Sequence, residues 1–433
     1  MSKVAFITLG CKVNQYETNA MSQEFIEKGY EVVEHHEKAD IYVINTCTVT
    51  NMSDRKSRQM LRRVKELNPN SIVIACGCYV QVAKDEVAKI EDIDLILGNN
   101  EKKNIVEHLE QYQKDKKRQL EIEDLMKQRE FIEFGDVTYT EKTRAVVKIQ
   151  DGCDRFCSYC IIPYARGRVR SRKPEGIISE ITKIAQEGIK EVVITGIHVA
   201  SYGKDFKENY GLIDLLEDLN KIEGIKRIRL SSIEPLILDE QFINRLSKLE
   251  KICHNFHLSL QSGCDETLKR MNRRYNTEQF KTVVNLIRNT YKDAILTADV
   301  IVGFPGETEE EFEKTYKFLE NVKFYKTHVF KYSPRKGTKA AVMENQIDGN
   351  IKEQRSKKLI ELSNNFEKEY NESYIGKTVE VLWEEEKEGI YKGHTQNYLL
   401  AYYKPEKGDM NLENKITKAN CISAESDHII VEI

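Results

Sequence analysis

Six cysteines in two groups of three are the residues of this chain best suited to chemistry. Cys153, Cys157 and Cys160 stand in "DGCDRFCSYC", a C-x3-C-x2-C spacing that follows the apolar run "AVVKIQ". Thiolates are the usual ligands of iron–sulfur clusters, and a four-iron cubane held by three cysteines leaves one iron open for a substrate or cofactor. The rival is a zinc site completed by a distant His or Cys, since structural zinc takes four ligands in a closed tetrahedron. The x3 gap, the βα context and the lack of a nearby His favour iron–sulfur. Cys11, Cys47 and Cys78 form the second group, in "TLGCKVNQYE", "INTCTVT" and "GCYVQ", each at the end of a short apolar run. Taken singly, each reads as a small buried hydrophobe. Their shared position after strands argues for a common site. Cys76, two residues before Cys78, would share its side of an extended strand and so competes with it as a ligand. Cys253, Cys264 and Cys421 have no partners at ligand spacing and read as packing residues.

The elements that must position these thiols follow from periodicity. Over residues 1–104, "VAFITL", "DIYVINT", "SIVIACG" and "IDLILG" read as buried parallel strands alternating with amphipathic helices, a Rossmann-like doubly wound α/β domain. Sites in such sheets form outside the carboxyl ends of strands, where Cys11, Cys47 and Cys78 fall. Residues 105–140 are charged and poor in Gly and Pro, and predict a helical linker. Over 141–370 the strands "AVVKIQ", "EVVITG", "KRIRLSSI", "NFHLSL", "ILTADVIVGF" and "THVFKYS" predict a partial (β/α)6 barrel whose working face is the carboxyl ends of its strands. Residues 371–433 predict a small antiparallel β-barrel from "TVEVLW", "YLLAYY" and "HIIVEI".

The chain has 433 residues, 40% hydrophobic and 32% charged, with a net charge of −3, so any polyanion-binding charge must be local. No run is long and apolar enough for a membrane span, and the amino terminus has no secretory pattern. A cytoplasmic protein with reduced thiols is expected, so its ten cysteines are ligands or packing residues rather than disulfides. Local charge is present. Over 141–175, nine basic residues face four acidic ones, and Arg166, Arg168, Arg170, Arg172 and Lys173 crowd behind the first cysteine motif. A charge run is usually a solvated face, but this one lies at the expected mouth of the barrel, where RNA phosphates would enter. A second basic helix, "RKSRQMLRRVK", follows Cys47. Tyr398, Tyr402 and Tyr403 of the last domain could stack on bases, although aromatics in small barrels are more often core.

The C-x3-C-x2-C motif after the first barrel strand, with Tyr159 before its last cysteine, resembles the radical S-adenosylmethionine superfamily. The whole chain resembles that superfamily's methylthiotransferases, down to "LGCKVNQYE", "INTCTVT" and a TRAM-like end domain. The resemblance implies two [4Fe–4S] clusters and S-adenosylmethionine (SAM), one cluster on Cys153, Cys157 and Cys160, the auxiliary one on Cys11, Cys47 and Cys78. It favours Cys78 over Cys76, because the family motif is Gly-Cys followed by an aromatic. It implies SAM contacts at successive strand ends: Thr195 and Gly196, Ser232 and Glu234, Gln261, then Asp299 and Gly303. It also implies a tRNA anticodon stem-loop as partner, a reducing donor such as a flavodoxin or ferredoxin, and a sulfur donor. "TLGCKVNQYETNAM" and "NTCTVT" resemble most the branch that places a methylthio group on C2 of N6-threonylcarbamoyladenosine at tRNA position 37. Alternatives are N6-isopentenyladenosine-37, a ribosomal-protein aspartate, and a zinc-stabilised RNA-binding protein without catalysis.

Overall fold

The structure is a computed structural model that describes residues 1–138, 143–405 and 411–433. The expected boundary at 140/141 lies outside the described residues.

The first domain is a six-stranded, all-parallel sheet in the order β2-β1-β3-β4-β5-β6, with β1 Lys3–Thr8, β2 Glu31–Val33, β3 Ile41–Thr46, β4 Ile72–Gly77, β5 Leu95–Leu97 and β6 Gln119–Glu121. Its central strand β3 is buried along its whole length, as the unbroken apolar run requires when helices cover both faces. Helices α1 (Lys12–Glu27), α2 (Asn51–Leu67) and α3 (Cys78–Val82) start directly after β1, β3 and β4. The expected helical linker is divided. Helix Ile105–Asp115 buries Ile105, Val106 and Leu109 against the sheet, and β6 extends it, so both belong to the first domain. Residues 122–138 contain no helix or strand. A three-residue apolar stripe was enough to recruit the charged helix.

The second domain carries six parallel strands in the order β7-β9-β10-β11-β12-β13: Arg144–Asp151, Glu191–Gly196, Arg227–Leu230, Asn255–Gln261, Ile295–Val302 and Lys326–Lys331. Parallel bridges Ile228↔Ile252 and Ile233↔Leu258 join β10 to β11, completing the partial barrel. A two-residue strand β8 (Arg170–Ser171) pairs antiparallel with the end of β7. Helix Gly349–Glu372 then leads to a closed barrel of β14 Thr378–Lys387, β15 Ile390–Thr395, β16 Leu400–Tyr403, β17 Ile416–Ala424 and β18 Ile429–Glu432. It is antiparallel as expected except for β16 and β18, which pair in parallel through Ala401↔Ile429.

The two outer domains grip opposite ends of the partial barrel. The closed barrel docks under the amino ends of the parallel strands. Arg227, the first residue of β10, donates to the carbonyls of His394 and Glu380 at 2.9 Å each, and Asn397 Nδ2 donates to Asp293 O at 2.8 Å. The first domain docks at the carboxyl ends. Asn51 N donates to Ser333 Oγ at 3.1 Å, beyond the end of β13. Among the described residues no helix is long and apolar enough to cross a membrane.

Candidate active site

The first cysteine group is assembled by two backbone turns that only glycine permits. Gly10 has φ +103°, and a Cβ there would lie 2.8 Å from both Cβ and Sγ of Cys47. The loop carrying Cys11 therefore lies directly against Cys47. Asn14 fixes that approach by donating to Leu9 O at 2.7 Å and Thr46 O at 3.0 Å. Gly77 has φ +100°, and a Cβ there would meet Thr46 O at 2.5 Å. This turn breaks the strand alternation between Cys76 and Cys78. Cys78 opens α3 beside the other two thiols. Cys76 stays inside the core among Val4, Met21, Phe25 and Leu95, where burial pushes its thiol up to about 11. Burial also raises the Cys47 thiol, with Cys78 and Cys11 adding to the rise. A metal must displace those protons on binding.

The second group lies on the loop after β7. Cys153 N donates to Gly167 O at 3.0 Å and Cys160 N to Cys157 O at 2.9 Å. Between them Phe156 takes φ +46°, a left-handed conformation uncommon for an aromatic residue, and it is covered by Arg168 at 5.0 Å. Ser158 ties the loop to the far side of the barrel, its N donating to Met271 O at 3.0 Å and its Oγ to Arg270 O at 2.8 Å. Arg273 donates from Nη1 to Cys157 Sγ at 3.2 Å and from Nη2 to Ser259 O at 3.2 Å. Tyr159 packs edge-on against Phe304.

The strand-end residues divide into those gathered around this loop and those held elsewhere. Glu234 is buried and pairs with Arg155 and with His198 Nε2 at 3.3 Å. Burial alone would raise its carboxyl, but His198, Arg155 and Arg273 outweigh it and hold the pKa at about 2. Gly196 faces Gln150, whose Oε1 accepts from His198 N at 2.8 Å. Thr195 is buried at the end of β9. Gln261 ends β11 at φ +70°, beside a register shift against β12, and backbone strain of this kind clusters at functional sites. Ser232 is exposed. Asp299 lies within β12 rather than at its end and pairs with His257 Nε2 at 3.1 Å. Gly303, at φ +68°, donates its N–H to Glu307 Oε2 at 2.6 Å, so that donor is already engaged.

Between the two cysteine groups lies a buried ion network of which Arg166, Arg170 and, through their ligands, Glu17, Lys102, Lys148 and Asp151 are the members. Glu17 accepts from Lys102 at 2.5 Å, Lys148 at 2.7 Å and Arg166 Nη2 at 3.0 Å. Lys148 also reaches Asp151 at 2.6 Å, and Arg170 lies 3.6 Å from it. Arg166 Nε donates to Cys78 Sγ at 3.1 Å, and its Nη2 to Asn14 Oδ1 at 2.6 Å. Four cations thus face two carboxylates, and Arg170 Nε and Nη1 have no hydrogen-bond partner among the described residues. Burial would raise the Glu17 carboxyl; Arg166, Lys102 and Lys148 overcome it and hold it well below the usual range.

This network corrects the expected RNA-binding run. Arg166, Arg170 and Arg172 are each at most 2% exposed, with Arg172 paired to Glu180 at 2.5 Å and Glu133 at 2.7 Å. Arg166 and Arg172 reach Glu17 and Tyr16 of the first domain, Arg170 stays within the barrel domain on Arg166 O and Asp151, and none of the three faces solvent. Arg168 is half-exposed beside Asp154, and Lys173 is exposed. Tyr398 is also taken: it stacks on His394 at 4.5 Å and under Arg229 at 4.5 Å. Sequence reasoning passed over Glu17, Asp151 and Arg335. Arg335 donates to Thr48 Oγ1 and Asp54 Oδ2 at 2.6 Å each, pinning the loop after Cys47 to the barrel lip. Arg335 lies more than 280 residues from its partners and Glu17 lies 149 from Arg166, separations at which no local pattern marks them.

The donor set of each group, three free thiols, suits a cubane cluster with one iron left open. Neither draws its three sulfurs within 4.8 Å of one another, whereas tetrahedral zinc holds sulfurs about 3.8 Å apart at its 2.3 Å bond length. The cationic donors Arg166 and Arg273 aim at sulfur, and the surplus positive charge beside Cys78 calls for a negatively charged partner.

Comparison with known proteins agrees. The family described as "Radical SAM superfamily" matches residues 147–319, and "Uncharacterized protein family UPF0004" matches residues 3–98. The Bacillus subtilis (strain 168) protein named threonylcarbamoyladenosine tRNA methylthiotransferase MtaB is 43% identical over 98% of this chain and 94% of its own. The chain belongs to the radical SAM methylthiotransferase family. Another relative of this methylthiotransferase, the tRNA-2-methylthio-N(6)-dimethylallyladenosine synthase of Clostridium botulinum (strain Hall), is 36% identical over 98% of this chain and 96% of its own. The radical SAM methyltransferase TsrM of Kitasatospora setae, solved with cobalamin and a [4Fe–4S] cluster, shares the fold at TM-score 0.56 and 14% identity. It covers 79% of the methylthiotransferase and 74% of its own chain. As a member of its family, this methylthiotransferase uses two [4Fe–4S] clusters and SAM.

Proposed function

We propose that the protein places a methylthio group on C2 of N6-threonylcarbamoyladenosine at position 37 of tRNA, with Cys153, Cys157 and Cys160 holding the SAM-binding cluster and Cys11, Cys47 and Cys78 the auxiliary one. The observation that carries this reading is the docking of the first domain over the carboxyl ends of the barrel strands, through Arg166 on one lip and Arg335 on the other. One substrate atom can then meet both cysteine groups in turn. When bound, the clusters and SAM supply radical abstraction of an aryl hydrogen and the methylthio group that replaces it.

The residues of the chain bind, orient and exclude water. Glu234 stays ionised beside Arg155 and His198, a fixed charge near the Cys153 loop. Tyr159, Thr195, Gly196, Ser232 and Gln261 complete the SAM pocket, with Asp299 and Gly303 on its adenine side. The threonylcarbamoyl substrate is favoured by the 43% identity to the Bacillus relative against 36% for the dimethylallyladenosine enzyme. A cytoplasmic location, a flavodoxin- or ferredoxin-type electron donor and a separate sulfur donor complete the reading.

Mass spectrometry of nucleosides from bulk tRNA tests it, in a strain lacking the gene and in the same strain carrying it back. Loss and return of 2-methylthio-N6-threonylcarbamoyladenosine is expected. Loss of the methylthio-isopentenyl nucleoside instead would keep the chemistry and overturn the substrate. No change in either would overturn the tRNA reading and move the ribosomal protein to first place.

A further inference from the structure

Burial of most of the arginine run leaves open which surface meets the phosphates. The closed barrel docks under the amino ends of the strands, the end opposite the loop that carries the Cys153 group. We propose that the outward face of α2 is the track for the phosphate backbone of the tRNA anticodon stem, with Arg55, Arg62 and Arg63 as its principal contacts. This rests on the tRNA reading above and deepens it.

Three observations carry the assignment. The first is charge. Over its 17 residues α2 holds six basic residues against two acidic ones, a net of +4 in a chain of net −3. The long helix Gly349–Glu372 balances five basic with five acidic residues over 24. Four of the six basic side chains of α2 are also free, Arg58 and Lys65 being paired with Glu86 and Asp94. Its inner face buries Ser57, Leu61 and Val64, which leaves Arg55, Lys56, Arg62 and Arg63 exposed, and none of the four has a carboxylate partner among the described residues. Exposed helices elsewhere in the chain show Lys–Glu pairs such as Lys314 with Glu266 and Lys368 with Glu372.

The second observation is position. Helix α2 starts four residues after Cys47 at the lip pinned by Arg335, and runs about 25 Å away from it at 1.5 Å per residue. A stem lying along it would deliver its loop to the mouth. The third is continuity. Arg55, Arg58, Arg62 and Arg63 line one shallow groove. Arg58 also borders a second groove of about 780 Å³ between Tyr79 of α3 and Ile161, Tyr164 and Lys336 of the barrel. Ile161 directly follows Cys160. Tyr164 is 47% exposed and Met52, at the start of α2, 59%. Phosphates on the first groove and unstacked bases against aromatic and apolar side chains in the second is how proteins take up single-stranded RNA loops.

The test is the salt dependence of binding of the full-length, cluster-loaded protein to an anticodon stem-loop RNA carrying the threonylcarbamoyl group. The R55Q/R62Q/R63Q variant is compared with wild type and with a control, K357Q/K368Q, on the exposed face of helix 349–372. Each lost phosphate contact lowers the slope of log K against log salt by roughly 0.7–0.9. The triple variant should therefore lose roughly two to three units of slope and bind roughly 10- to 100-fold more weakly at moderate salt. Its iron content and RNA-independent SAM cleavage should match wild type, which shows that the fold and both sites are intact. The control should bind as wild type does. Unchanged slope and affinity in the triple variant, with wild type binding normally, overturns this inference alone. Equal losses in the control overturn it too, since the effect would then be one of net charge. If wild-type protein binds no RNA, this inference falls together with the tRNA reading.

Discussion

Arg166 Nε donates to Cys78 Sγ at 3.1 Å while the other end of the same guanidinium holds the buried carboxylate of Glu17. One side chain from the barrel domain therefore touches a cysteine of the first domain and neutralises that domain's most buried acid. A planar fork with five donors can do this; a lysine cannot.

Replacing Arg166 should consequently affect stability and one cysteine group together. R166M removes one partner from a buried ion network and is expected to cost about 3–5 kcal/mol. R166K keeps the charge, loses the fork and should fall between R166M and wild type. Chemical denaturation gives the cost. Iron analysis should show selective loss at the Cys11/Cys47/Cys78 group, from about eight atoms per chain towards about four. Uniform loss from both groups would show that Arg166 only holds the domains together.

The rival thiols of the β4 turn can be separated by the same iron count. C78A should lose about four of about eight iron atoms, and C76A should lose none, because Gly77 turns Cys78 out and leaves Cys76 in the core. C76A removes little more than one buried sulfur and should cost about 1 kcal/mol or less. Iron loss in C76A with retention in C78A would reverse the assignment.

Four of the six first-domain strands, the six parallel barrel strands and three of the five end-barrel strands were legible because each rests on period and apolar runs that stay local. The positions of the six thiols were legible as well, since each follows a strand. What was not legible depended on distant partners. Arg166, Arg170 and Arg172 look identical to Arg168 in sequence, and only Glu17, Asp151 and Glu180 decide which of them are buried. The docking of the charged helix Ile105–Asp115 on the first domain is hidden for a related reason. Its three apolar residues form a stripe too narrow to stand out, yet wide enough to dock. Asp299 lies on the expected strand but three residues before its end, because β12 continues to Val302.

Glu234 gives a prediction in pH. Its folded pKa, about 2, lies below the ordinary carboxylate value of about 4.3, so its contribution is fully present above about pH 5. That contribution is lost as pH falls from about 5 towards 2, and amounts to about 3 kcal/mol at most. In E234Q this component is gone. The gap in unfolding midpoint between wild-type and E234Q protein, both freed of metal, should therefore shrink between pH 6 and pH 3. A gap that stays constant with pH would mean that the carboxylate is not held ionised by Arg155 and His198.

The central claim is that two three-cysteine sites, closed over one mouth, act on the same adenine carbon. The most direct measurement is an anaerobic reaction of the reconstituted protein, a chemical reductant, sulfide and SAM labelled in its methyl group, with an anticodon stem-loop carrying N6-threonylcarbamoyladenosine. Mass spectrometry of the digested RNA should show the labelled methylthio nucleoside from wild-type protein. C78A and C157A, each lacking one ligand of one site, should give none. Labelled product from either variant, or none from wild-type protein with both clusters intact, would contradict the account.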